Sequence, residues 1–200
     1  VQYIVIFIVI LFLPSNALAK KWKPYVSLSG GFHLPKKAEF YQFDKYETHQ
    51  SSYGLAILTS FGLRKRSYRF ELEYGFRFSS YQIPTLDMYR SLIEVASTTT
   101  SLIANAYYHL PKEGFLRPYF GLGAGAVRQT VKTLNPKIPY ENFYPSNPSS
   151  PLLAHHFAWQ GMFGTTIKLS RSFSSDLEYR YFSGGTIKAH GSNINLRYSF

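Results

Sequence analysis

Between residues 68 and 78 the chain alternates without a break. Tyr68, Phe70, Leu72, Tyr74, Phe76 and Phe78 interleave with Arg69, Glu71, Glu73, Gly75 and Arg77. A period of two puts these sets on opposite faces of one extended strand. One face is apolar and largely aromatic; the other carries two arginines and two glutamates. Two architectures accept such a strand. In a soluble sandwich the charges face water, whereas in a membrane barrel the apolar face meets lipid and the charges pair inside.

The rest of the chain separates the two. Eight segments carry the same period: about 25–32, 53–63, 68–78, 100–110, 117–127, 157–169, 173–181 and a last one running to Phe200. Roughly 9–11 residues is the length a tilted membrane crossing requires. The connections after the second, fourth and sixth segments are short: Arg64-Lys65-Arg66-Ser67, Pro111-Lys112-Glu113-Gly114 and Ser170-Arg171-Ser172. Those after the first, third and fifth are long, about 33–52, 79–99 and 128–156. Alternation of short turns and long loops is the pattern of outer-membrane barrels, with turns in the periplasm and loops outside. The expected fold is all-β: a transmembrane, eight-stranded, antiparallel up-and-down barrel with both termini periplasmic, displaying three long and one short extracellular loop. Gly121, Gly123 and Gly125 share one face of the fifth segment and are expected to leave room for arginine and glutamate side chains across the lumen.

Both ends of the chain agree with export. Residues 1–19 hold no charge; Tyr3–Leu13 is apolar throughout, Pro14-Ser15-Asn16 breaks it, and Ala17-Leu18-Ala19 follows. Small residues at Ala17 and Ala19 fit a signal-peptidase site, so the mature chain is expected to start at Lys20, with residues 1–19 a signal peptide and 20–200 the barrel domain. A spanning helix needs roughly 20 apolar residues, more than this run supplies. No basic residue precedes the apolar core, so the native start is expected to lie ahead of Val1. At the other end, Leu196, Tyr198 and Phe200 share one face. That ending resembles the C-terminal strand by which bacterial barrel-insertion machinery recognises its clients.

The chain has no cysteine, which excludes a disulfide framework. Aromatic residues make up 18%, as aromatic girdles at two membrane interfaces demand. A net charge of +11 would ordinarily raise nucleic-acid binding. Its distribution argues against it. Parity assigns Arg69, Glu71, Glu73, Arg77, Lys168, Asp176, Glu178, Arg180 and Arg197 to the lumen, where they should pair as a network. The excess falls on the N-terminus and short turns, in Lys20, Lys21, Lys23, Arg64, Lys65, Arg66, Lys112, Arg117 and Arg171. Facing anionic headgroups, each would contribute about 1 kcal/mol of attraction; turn solubility is the plainer alternative.

Several stretches resemble the OmpA-type eight-stranded barrel domains, especially the opacity-like proteins and surface antigens of intracellular proteobacteria. They are Leu102-Ile103-Ala104-Asn105-Ala106-Tyr107-Tyr108, residues 117–125, Ala158-Trp159-Gln160-Gly161, Leu177-Glu178-Tyr179-Arg180-Tyr181-Phe182 and Leu196-Arg197-Tyr198-Ser199-Phe200. The resemblance spans the mature chain and is strongest from residue 100 onward. It implies an outer-membrane surface protein, an antigen or adhesin without catalysis or cofactor, whose partners are outer-membrane lipids, the insertion machinery and a host-surface receptor.

Other chemistries were weighed on their residues. Gly121-x-Gly123-x-Gly125 lacks the helix that a nucleotide loop must open. Neighbours His155 and His156 point to opposite strand faces and cannot readily share a metal. His190-Gly191-Ser192-Asn193 resembles the H-x-S-N element of lipid A deacylases, yet no acid follows Ser192, and Asp176 and Glu178 have lumen parity. A small-solute pore is the other alternative, opposed by a lumen full of paired charge. Contact residues for a partner are expected on the long loops, at Tyr41, Tyr46, Tyr89, Tyr140 and Tyr144, because tyrosine on a stiffened loop is a frequent interface residue.

Overall fold

The computed structural model describes residues 22–35, 39–42, 45–48, 53–84, 92–111, 114–133, 154–184 and 187–200. Eight strands close into one barrel: β1 (Lys23–Pro35), β4 (Gly54–Lys65), β5 (Tyr68–Pro84), β6 (Leu92–His109), β7 (Leu116–Thr133), β8 (Ala154–Lys168), β9 (Phe173–Gly184) and β10 (Ile187–Ser199). Each pairs antiparallel with its chain neighbour in the barrel, and β10 closes on β1 in a register running from Tyr25 opposite Ser199 to Pro35 opposite Ala189. A separate hairpin, β2 (Glu39–Gln42) with β3 (Lys45–Thr48), interrupts the first loop. The signal-site residues Ala17, Ala19 and Lys20 lie outside the described residues, as do Tyr89, Tyr140 and Tyr144.

The short connections are tight because their strands run almost into each other. Arg66 and Ser67 join β4 to β5, with Arg66 at φ 53°, the left-handed conformation that two-residue hairpins favour. On the loop side the strands are longer than alternation indicated. β5 continues to Pro84 and β6 begins at Leu92, so most of residues 79–99 is paired strand rather than loop. β7 likewise runs past Val127 to Thr133. Serine and threonine fill Ser79-Ser80 and Ser97-Thr98-Thr99-Thr100-Ser101, which hides the apolar period, while the β-branched threonines still favour extended backbone.

Burial is inverted relative to a water-soluble fold. Arg69 and Asp176 are 0% exposed, whereas Leu122 and Phe163 are 67% and 63% exposed. An apolar outer surface wraps the barrel, bordered by aromatic contacts at both ends. Near the turns Tyr68 meets Tyr108, Tyr108 meets Phe120, and Tyr198 touches both Phe173 and Phe200. Towards the loops Trp159 lies against Tyr181. Lipid tolerates this wall because each barrel strand is paired along both edges, so its backbone N–H and C=O groups have partners other than water.

The glycines of β7 do not make room for arginine or glutamate, contrary to the expectation above. A Cβ at Gly121 would strike the ring of Tyr107, and one at Gly123 the side-chain oxygen of Asn105. One at Gly125 would strike the backbone of Leu102 and Ile103. Neighbouring β6 is therefore the element that needs the space. Gly121→Val should push Tyr107 off its site and cost about 1–3 kcal/mol, as overpacking does. A lowered urea midpoint of the detergent-folded barrel checks this.

Candidate functional site

The lumen holds the densest chemistry of the molecule, stacked in layers. Nearest the turns, Asp176 accepts from Arg69 Nη1 at 2.7 Å, Thr166 Oγ1 at 2.7 Å and both terminal nitrogens of Arg197 at 3.2 Å. One layer deeper, the Tyr25 hydroxyl donates to Glu71 at 2.6 Å and the Tyr119 hydroxyl to Glu178 at 2.9 Å. Arg180 then bridges two carboxylates, Glu73 and Glu178, each at 2.7 Å. Gln160 and Asn105 complete the shell of Glu73, both donating at 3.2 Å. Arg77 follows, 3.7 Å from Glu73 and donating to Ser101 at 2.8 Å.

Each of these side chains is inward because each falls on the lumen-facing parity of its strand, odd on β5 and even on β8 and β9, and the cross-strand registers bring them level. Glu71 opposes Asn105, Arg69 opposes Tyr107, and Thr166 opposes Asp176. Four arginines meet four carboxylates in six ion pairs among the described residues. Lys168 is the exception to the expected set. It has lumen parity opposite Ser174, but as the last residue of β8 its long side chain reaches the mouth and is exposed.

Above Arg77 the interior turns apolar. The Phe182 ring lies 4.1 Å from the Arg77 guanidinium carbon, and Ile103, Val127, Ala158, Ile187 and Ala189 cluster with it. Sequence reasoning expected hydrophilic groups throughout the lumen and missed this layer. Its signal was present in the inward parity of Ile103, Val127 and Phe182, which an eight-stranded interior must fill with side chains. Gln160, Asn105, Tyr25 and Tyr119 were also missed as network members; a lone amide or phenol at inward parity marks each.

On the outer face His190 and Ser192 stand where parity put them. His190 Nδ1 hydrogen-bonds the hydroxyl of Tyr179, and its ring packs 5.0 Å from Tyr181. The carboxylates of Asp176 and Glu178 are engaged inside with Arg69, Arg197 and Arg180. The hydrogen bond that orients His190 thus comes from a phenol, not from the acid a serine–histidine hydrolase uses. His156, at the head of β8, is exposed. Leu196, Tyr198 and Phe200 are exposed on the outer face of the closing strand. Tyr41 and Tyr46 are Cα partners in the β2–β3 hairpin.

The family model for the outer membrane protein beta-barrel domain matches residues 5–200. The chain belongs to this family. It is a bacterial outer-membrane protein of the OmpA-like kind, and membrane lipid surrounds its apolar belt. Among solved structures, the Neisserial surface protein A (NspA) superposes with a TM-score of 0.60 at 15% identity, covering 88% of this chain and 97% of that one. The outer membrane protein OprG from Pseudomonas aeruginosa gives a TM-score of 0.58 at 13% identity, covering 90% and 97%. At such identities the family likeness is one of fold. No curated protein matches the sequence.

Removing Arg180 would leave Glu73 and Glu178 buried without their shared partner. Arg180→Met should therefore cost about 3–5 kcal/mol, the range for a buried charge stripped of its counter-ion. Adding Glu178→Gln should recover much of that loss, because Glu73 then keeps Arg77 as its counter-ion. Guanidinium unfolding of the parent, the single and the double variant measures both steps.

Proposed function

We propose that this outer-membrane barrel is a surface-display protein, an antigen and adhesin whose loops meet a host-surface receptor while its wall serves the envelope structurally. The observation that carries this reading is the height of the wall on one side. β5, β6 and β7 stay paired well beyond the apolar belt: Val95 is still opposite Thr133, and Ile83 opposite Ile93. Outward residues change character on the way, from Leu102 and Ala126 in the belt to Thr98 and Thr130 above it. Paired backbone standing clear of lipid has little use in a protein that acts only within the bilayer. It suits a rigid platform, because contact loops held on ordered strands lose less entropy when they bind.

The loops are read as extracellular and both termini as periplasmic, with residues 1–19 removed as a signal peptide after Ala19 and the barrel domain spanning 20–200. Leu196, Tyr198 and Phe200 are read as the handle for the insertion machinery. Contact falls to Tyr41 and Tyr46 on the β2–β3 hairpin and to Tyr89, Tyr140 and Tyr144. A solute pore is disfavoured by the ion-pair layers and the apolar layer above them. Catalysis at His190 and Ser192 is disfavoured by the Tyr179 partner.

Two measurements test the reading. Deleting residues 134–151 should leave the heat-modifiable barrel intact and cut host-cell attachment of expressing bacteria several-fold; full attachment would overturn an adhesin role for that loop. In planar bilayers the refolded protein should show no large, stable conductance, and a persistent open channel would favour the pore instead.

A further inference from the structure

The turn-end mouth of the lumen carries like charges set against each other. Lys23 is the Cα partner of Arg64 across β1 and β4, and Arg64 is the Cα partner of Arg69 across β4 and β5. Directly opposed residues share a face, and Arg69 faces the lumen, so all three project into the same mouth. Arg117 joins them two residues before the buried Tyr119, opposite Thr166. Arg64 lies within electrostatic reach of Arg197, Arg117 and Arg69. Like charges directly opposed across strands destabilise a sheet. The two acids beside Arg69 are already engaged: Asp176 accepts from Arg69, Arg197 and Thr166, and Glu71, 3.5 Å from Arg69 Nε, accepts from Tyr25.

Beneath this ring two buried groups have donor capacity left. Arg69 is held by Asp176 and stacked 3.8 Å over the Tyr107 ring, yet its Nη2 has no hydrogen-bond partner. His109, 2% exposed and two residues from Tyr107 on the same face of β6, has both ring nitrogens without a partner. Its ring is fixed 5.1 Å from Tyr119. A guanidinium edge and an imidazole thus lie buried beneath a collar of cations, each with hydrogen-bonding capacity left that an oxyanion could use.

We propose that this mouth binds a phosphate group, held by Arg69 and His109 from below and by Lys23, Arg64 and Arg117 around its rim. A dianion matches the excess of positive charge better than a single carboxylate. The same chemistry is offered by a soluble phosphate ester and by the headgroup of a phospholipid beside the barrel rim.

The test uses the full barrel folded in a neutral maltoside detergent, titrated with inorganic phosphate or with short-chain phosphatidic acid. Binding is followed by calorimetry and by the imidazole ¹⁵N resonances of His109. Phosphate should move the His109 signals, and Arg64→Gln should weaken binding about tenfold, the effect of losing one charge-assisted hydrogen bond. Without phosphate, Arg64→Gln should be no less stable than the parent, since it relieves repulsion. Arg171→Gln, on an exposed turn, is the control for a diffuse surface field. A response to inorganic phosphate supports a soluble ester; a response to the lipid alone supports a headgroup. No His109 response to either probe would overturn the site, as would equal weakening by the Arg64 and Arg171 substitutions.

Discussion

Closure of β10 against β1 is the constraint from which the rest of the structure follows. In hydrocarbon an unpaired backbone group costs several kcal/mol, so an open sheet of these strands would expose two intolerable edges. The pairing from Tyr25–Ser199 to Pro35–Ala189 removes both. Once closure is imposed, parity has a single consequence on every strand: one set of side chains meets lipid and the other meets the opposite wall. Residues that look amphipathic in isolation, such as Phe70 beside Glu71, then have unambiguous places.

Closure also creates the electrostatic problem that the lumen solves. A ring of eight strands leaves an interior that side chains fill, and here the filling is charged. Isolated ions would not survive there, and the network answers with shared partners rather than simple pairs. Asp176 serves Arg69 and Arg197, while Arg180 serves Glu73 and Glu178. Neutral donors such as Tyr25, Tyr119 and Gln160 take up the remaining lone pairs. Shared partners tie distant strands together, as when Arg180 on β9 reaches Glu73 on β5. The charges thus brace the wall across its diameter, where backbone hydrogen bonds act only between neighbours.

Much of this was legible in the sequence because a strand's period of two is local. Tyr68–Phe78 alone assigns the inward charges of β5, and Phe173–Tyr181 those of β9. What was not legible depends on distance. Lys168 has the parity of a lumen residue, but whether such a residue is buried depends on how near it lies to a mouth. At the loop end of β5, β6 and β7 the outward residues are polar, so Ser80, Thr98 and Thr130 carry no apolar mark to distinguish strand from loop. The role of Gly121 and Gly123 could be settled only by register, which set them opposite Tyr107 and Asn105 rather than a charge. Parity reports a face; only the assembled barrel reports a height or a neighbour.

Height is also what makes the two mouths unlike. At the loop end Phe182, Ile103, Val127 and Ile187 cover the outermost arginine of the network, Arg77, with hydrocarbon. At the turn end only the smaller cluster of Tyr107, Tyr119 and Met162 stands beside Arg69, and the half-buried Arg64 and Arg117 lie nearer the opening. A plug needed only for stability could have been capped alike at both ends, since replacing buried ion pairs with well-packed apolar groups is often neutral or stabilising. The asymmetry therefore has a directional logic. The end carrying the tall strand wall is closed over Arg77 by hydrocarbon, and the end carrying the short turns is closed by a basic collar around Arg64.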